Sequence, residues 1–251
     1  MTERRSTTDD GLEDSSPFRR PAFLMSAGFL AVVAVLGAVT FIRSPAPRSE
    51  QSTAPQASAT PANGATQAPA NGCRPGDTSQ QIPTGPPTGI TWQVYKTMAL
   101  PYSSTAGPLN VSADGEVARC FAHTPVGALI AAVHLSSRYV FSRQWRVIAD
   151  EQVVPGPGRD AYLKLRGNRG VDAVTPGSLG QIAGFQFVTY DPQTAVVQLV
   201  MRFSNGQMSV SAVTVKWQAG DWKLELKPNG SPSNSQQLVS SLAGFTPWGG
   251  V

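Results

Sequence analysis

IAGFQFVTYDPQTAVVQLVMRFSNGQMSVSAVTVKWQAGDWKLELK, residues Ile182–Lys227, reads as four consecutive β-strands. The runs Ile182–Tyr190, Thr194–Ser204, Met208–Gln218 and Trp222–Lys227 are rich in Val, Phe, Thr, Tyr and Trp, the residues that fit a pleated, half-buried surface. Asp191-Pro192, Asn205-Gly206 and Ala219-Gly220-Asp221 separate them, and each is hairpin chemistry. Connections this short force antiparallel neighbours. The stretch therefore predicts a four-stranded antiparallel meander.

Upstream, the pattern changes from period two to period three-and-four. Thr124 suits a helix N-cap and Pro125 the first helical position. The helix runs to about Phe141, with Leu129, Ala132, Val133, Ser136 and Val140 on one face. A second helical piece is expected over Arg143–Val153, with Trp145, Ile148 and Ala149 inward, until Pro155-Gly156-Pro157-Gly158 stops it. A third short helix is expected within Arg159–Arg169, and Ile90–Tyr95 alternates like a first strand or extended arm. Helices followed by a meander imply an α+β domain, with helices packed on one face of a curved four-stranded antiparallel sheet. Its expected bounds are residues 88–228.

Outside those bounds the composition differs. Residues 229–251 read as a C-terminal tail with one helical patch near Gln236–Leu242. Residues 43–87 are rich in Pro, Ala, Ser, Thr and Gln, which makes a semi-extended linker. Before it, residues 21–42, PAFLMSAGFLAVVAVLGAVTFI, carry no charge. Such a run spans roughly 30 Å as a helix, the thickness of a bilayer's hydrocarbon core. It is longer than a cleavable leader's apolar region and has a polar stretch ahead of it, so a signal anchor is favoured over a cleaved signal peptide. Arg4, Arg5, Arg19 and Arg20 precede the span, whereas Arg43 and Arg48 follow it. The positive-inside rule then puts residues 1–20 in the cytoplasm as a disordered tail and the domain outside. Small residues within the span permit helix–helix approach.

The 251-residue chain has a net charge of +4 and two cysteines, Cys73 and Cys120. From Arg74 onward, 14 Lys/Arg face 10 Asp/Glu, which is too mild for a dedicated nucleic-acid binder. Two cysteines in an oxidising compartment are candidates for one disulfide, the alternative being two unpaired, partly buried thiols. Cys73 lies too far from the apolar run for a lipoprotein reading.

The order of elements, closing on Gly220-Asp221-Trp222-Lys223-Leu224, resembles the cone-shaped nuclear transport factor 2-like fold. The plan of tail, span and outer domain is similar to the TcpC-like and VirB-type scaffold proteins of conjugation and type IV secretion. The words Ala122-His123-Thr124-Pro125-Val126-Gly127-Ala128 and Gly220-Asp221-Trp222 resemble those of an actinobacterial group of single-span proteins. The resemblance covers roughly residues 88–250. It implies a scaffold role in an envelope apparatus and carries over no catalytic or binding residue.

The residues themselves offer little for catalysis. His123, His134, Asp150, Glu151, Asp160, Asp172, Asp191 and Asp221 are the acid–base candidates. His123 precedes a helix cap, and His134 is expected to be surface or partly buried. Asp150 and Glu151 point about 100° apart on a helix. Asp221 sits where turns favour Asp. There is no HExxH, GxSxG, P-loop or dinucleotide fingerprint. No catalytic residue, metal site or cofactor is expected, and a small enzyme is the least favoured reading.

Arg138, Arg143, Arg146, Arg159, Lys164, Arg166 and Arg169 concentrate positive charge in one third of the domain. They form a candidate patch for nucleic acid, teichoic acid or lipid head groups, against the plainer reading of a solvated helix surface. Aromatics are not interleaved with them, which argues against stacking on single strands. The favoured reading is a non-enzymatic membrane-anchored scaffold. Its expected partners are the membrane, further copies of the chain and other envelope or secretion components, with Trp217, Trp222 and Trp248 as candidate interface anchors, although core or sheet-face positions are favoured for Trp217 and Trp222.

Overall fold

The computed structural model describes residues 72–168 and 179–250. The expected membrane span, the tail before it, linker residues 43–71, Arg169 and Asp172 lie outside the described residues. Among the described residues no helix is long and apolar enough to cross a membrane.

Strands dominate. A hairpin of β1 (Ile90–Tyr95) and β2 (Met98–Ser103) pairs without a slip from Ile90 opposite Ser103 to Tyr95 opposite Met98. A two-residue ladder follows between β3 (Asn110–Val111) and β4 (Ala118–Arg119). Three helices come next: α1 (Pro125–Phe141), α2 (Trp145–Val147), which runs into a π-helical turn at Ile148–Gln152, and α3 (Pro157–Gly167). The remaining strands are β5 (Gln181–Asp191), β6 (Thr194–Arg202), β7 (Met208–Gln218), β8 (Asp221–Leu224), β9 (Gln237–Val239) and β10 (Thr246–Pro247).

The main sheet has six strands, which corrects the expected four-stranded sheet packed with helices. Its order is β10-β5-β6-β7-β8, and β9 also pairs with β7. The meander β5–β8 is present, but residues read as a tail add two strands to it. β8 covers only Val215–Gln218 of β7, so Met208–Val210 would leave backbone groups unpaired; β9 takes them. That pairing makes a strand of the patch read as helical near Gln236–Leu242. β10 likewise covers Gly184 and Phe185 at the edge of β5.

The alternation along β6 and β7 builds two apolar layers. Ala195, Val197, Leu199, Val213 and Val215 join the main core, against which α1 is packed. Val200, Met208 and Val210 face the other way, onto Val239, Leu242 and Phe245 of the C-terminal stretch. A sheet covered on both faces explains why that stretch is structured.

α1 begins as expected. The Thr124 hydroxyl accepts from the Gly127 N–H at 3.1 Å and donates to Asp77 at 2.6 Å. A Cβ at Gly127 would lie 2.0 Å from the carbonyl oxygen of Ala122, so only glycine permits this approach. The face expected for α1 does not hold along its length: Val140 is exposed and Arg138 is fully buried. The helix lies between the sheet and the β1–β2 hairpin, so it has more than one inward side. Trp145, Ile148 and Ala149 are buried.

Part of the expected linker also belongs to the folded unit. Cys73 is bridged to Cys120. Asp77 reaches Thr124, and the Gln80 side-chain amide donates to the His123 carbonyl at 2.7 Å.

Candidate functional site

The two sequence words that carried the resemblance meet in space. Asp221 opens β8, and its carboxylate accepts from the backbone N–H groups of Cys120 at 2.8 Å, Phe121 at 3.1 Å and Trp222 at 2.9 Å. Trp222 is 1% exposed, and its indole N–H donates to the Ala122 carbonyl at 2.8 Å. Trp222 is therefore a core residue. His123 stacks on half-buried Trp217 with ring centroids 4.0 Å apart, and its Nε2 contacts the Pro192 carbonyl. Burial pushes the Asp221 carboxyl up to about 6, against the pull of its three N–H donors and of Lys223.

Two adjoining polar clefts, of about 280 and 600 Å³, share Asn110, Arg119, Ala219 and Asp221. Arg119 donates to Glu151 there at 2.7 Å, which uses that carboxylate, and Asp150 is exposed. Both oxygens of Asp221 already hold backbone. The set suits the joining of β8 to the Cys120–Ala122 segment between β4 and α1 more than proton transfer. Among the described residues no group of three or more His, Cys, Asp or Glu is placed to hold a metal ion.

His134 is fully buried, not surface or partly buried as expected. Its Nε2 meets the Pro101 carbonyl at 2.7 Å and its Nδ1 meets Arg138 at 2.6 Å. Burial, then the Arg138 charge, hold its imidazole well below the usual histidine range despite the Pro101 contact. Asp191 caps its own hairpin by accepting from Gln193 and Thr194. Asp160 is exposed in the first turn of α3.

The expected basic patch is without Arg138, which is fully buried. Arg138 points inward, 4.6 Å from the Tyr95 ring centre, with Tyr102 and the Gly115 carbonyl beside it. Arg143 donates to buried Glu116 at 3.0 Å, where Lys96 and the Tyr95 hydroxyl also converge. Those donors outweigh burial and hold Glu116 down to about 2. Arg146 lies over the Trp145 ring, and Arg166 donates to the Val140 carbonyl. Arg159 and Lys164 remain with them on or near α3.

A wider concavity lies elsewhere. A groove of about 860 Å³ runs beside β1, the start of β5 and the end of β6. Trp92 comes from β1, and Trp248 is held by its N–H bond to the Ala183 carbonyl. Their ring centroids are 5.0 Å apart. Phe203, Ile90, Pro86 and Pro87 complete the apolar walls, with exposed Arg202 at the rim. Sequence reading singled out Trp248 as an anchor and missed Trp92, whose partner lies more than 150 positions away in the chain.

No curated protein and no solved structure matches the chain. One family model does, over residues 50–247, and its description is "Domain of unknown function (DUF8175)". That match takes in the Asp221 junction, the disulfide and the groove as far as Pro247, and by it the chain belongs to the DUF8175 family.

Proposed function

We propose that the protein is a non-enzymatic, membrane-anchored assembly component of a bacterial cell-envelope apparatus of the conjugation or type IV secretion kind. Its N-terminus is cytoplasmic and its domain extracytoplasmic. The observation that carries the interaction role is the groove whose lining includes Trp92 and Trp248, a concavity with apolar walls and a charged rim. Interfaces draw their affinity from buried aromatic anchors with polar surroundings, and this groove has that make-up.

Two further features support the reading. The Cys73–Cys120 bridge fits an oxidising compartment, as an outer domain requires. The histidines and Asp221 are engaged in packing and backbone contacts, which leaves them poorly disposed for acid–base work. The anionic-polymer reading is less favoured because Arg138 is buried and Arg143 is shared with Glu116.

The test is to purify the full chain in detergent micelles after mild cross-linking of intact cells, then measure its mass by light scattering. A discrete assembly, of itself or with envelope proteins, is the expected result. A bare monomer that captures nothing would sink the proposal.

A further inference from the structure

We propose that the outer edge of β1 pairs antiparallel with β1 of a second copy of the chain, joining two β1–β2 hairpins into one four-stranded sheet about a two-fold axis. This deepens the assembly reading above, rests on it, and names the partner.

The hairpin fixes which backbone groups are left over. Lys96 and Thr97 form its two-residue turn, so Tyr95 and Met98 close it as a hydrogen-bonded pair. Alternation then turns Gln93 and Thr91 toward β2, and turns the N–H and C=O groups of Val94, Trp92 and Ile90 away from it. On the far side of β2 the outward groups find partners. The Ala99 N–H donates to the Gln181 side chain, the Pro101 carbonyl meets His134, and Ser103 exchanges two bonds with Gly107. The outer side of β1 has no such neighbour, because its sheet consists of β1 and β2 alone among the described residues.

Nothing in β1 guards this edge. Edge strands are ordinarily blunted by charge, proline, a bulge or shortness. β8 carries Asp221 and Lys223 and is met at Leu224 by Val153 and Val154, and β10 is two residues with a proline. β1, ITWQVY, has six residues with no charge, no proline and no slip in register. Val94 on it is 77% exposed. The Trp92 ring is covered by Trp248 and Gly250. Strand side chains stand perpendicular to their sheet, so that cover leaves the in-plane backbone groups within reach.

The edge fits a copy of itself. Its outward residues are spaced evenly about Trp92. With Trp92 opposite the partner's Trp92, Ile90 faces the partner's Val94 and Val94 faces the partner's Ile90, all as hydrogen-bonded pairs. Thr91 and the partner's Gln93 lie opposite each other between them. Apolar meets apolar and polar meets polar. No like charges are brought together, since β1 has none and Lys96 at the turn is held by Glu116. A two-fold axis makes each contact twice, the self-complementarity that an isologous dimer requires. The hairpin also gains by it, because two strands alone make a marginal sheet.

The experiment uses full chains in micelles, one carrying Thr91→Cys and the other Gln93→Cys, with different tags. They are mixed and mildly oxidised, and circular dichroism checks that each is folded. Opposite residues of a non-hydrogen-bonded pair have Cα atoms about 4.5 Å apart, within disulfide reach. Thr91 and the partner's Thr91 would be diagonal neighbours at about 7–8 Å, outside it. The expected result is a mixed cross-link several-fold above that of either variant alone. Val94→Lys in both chains should lower it by about tenfold, because each lost Val94–Ile90 pair is lost twice. Leu238→Lys, at an equally exposed position on β9, should leave it unchanged. Equal cross-linking in all combinations, or a yield indifferent to Val94→Lys, overturns the pairing. If assemblies form in the cell cross-linking experiment above but this cross-link does not, the β1 edge is not their interface and the assembly reading stands. If Val94→Lys then abolishes capture of an envelope protein, the edge takes a foreign strand and the second copy is overturned as its partner. A monomer in both experiments removes both readings.

Discussion

Arg138 and His134, one turn apart on α1, touch at 2.6 Å with both side chains fully buried. The imidazole accepts from the guanidinium through Nδ1 and presents Nε2 to the Pro101 carbonyl, which places its proton on Nε2. A protonated ring could not accept from the cation. The pair ties α1 to β2 and makes the fold depend on a neutral histidine.

His134 therefore gives a pH signature. Its folded-state pKa lies well below 6.5, so the unfolded chain binds the proton first as pH falls. This contribution to stability is complete above pH ~6.5 and is lost progressively below it. His134→Gln, read by urea denaturation at pH 7.5 and 5.5, should cost about 1–3 kcal/mol at the higher pH. It should also lose less on going to the lower pH than the native chain does. An unchanged pH response would refute the assignment.

Asp221 acts with the opposite sign. Its pKa is raised from 3.8 to about 6, so the folded chain holds the proton more tightly. Stability from this group falls as pH rises from about 4 to about 6. Asp221→Asn should abolish that contribution and leave the His134 slope exposed. Because an amide offers one acceptor oxygen where the carboxylate offers two, the change should also cost about 1–3 kcal/mol at neutral pH.

Trp222→Ala should cost about 3–5 kcal/mol by emptying a core site, and it leaves the Ala122 carbonyl without its donor. Chemical denaturation measures this directly. If melting is unchanged while association is lost, Trp222 is an interface residue and its placement in the core is wrong.

The disulfide closes a loop with a sequence separation of 47. Chain-entropy reasoning gives a loss of about 4 kcal/mol when it is opened. Urea midpoints with and without reductant, and for Cys73→Ser with Cys120→Ser, should fall together. A midpoint indifferent to reductant counts against a bridge in the native protein.

The meander was legible because Asn205-Gly206 and the neighbouring turns punctuate long alternating runs, and α1 because Thr124-Pro125 marks its start. β9 and β10 were not legible. Their two or three residues show no period, Leu238 is 75% exposed, and they become strands only because β7 and β5 present open edges. Counting Arg138 with surface charge failed for a similar reason. Its burial depends on Tyr95, Tyr102 and His134, which long-range pairing brings together. The Asp221 junction was half legible: the turn favoured Asp, but nothing local announced that its partners are Cys120 and Phe121, about a hundred residues earlier.

The bridge from Cys73 to Cys120 also sets where mechanical load enters the protein. Tension arriving along the N-terminal tether crosses at Cys73 directly to Cys120, whose N–H is held by Asp221 at the head of β8. The force thus enters between β4 and α1, beside the head of β8. The β1–β2 hairpin and the rest of residues 74–119 lie in a packed loop off that covalent path. With the bridge closed, a pull at Cys73 enters the covalent chain at Cys120, just ahead of α1, without first passing through the β1–β2 hairpin.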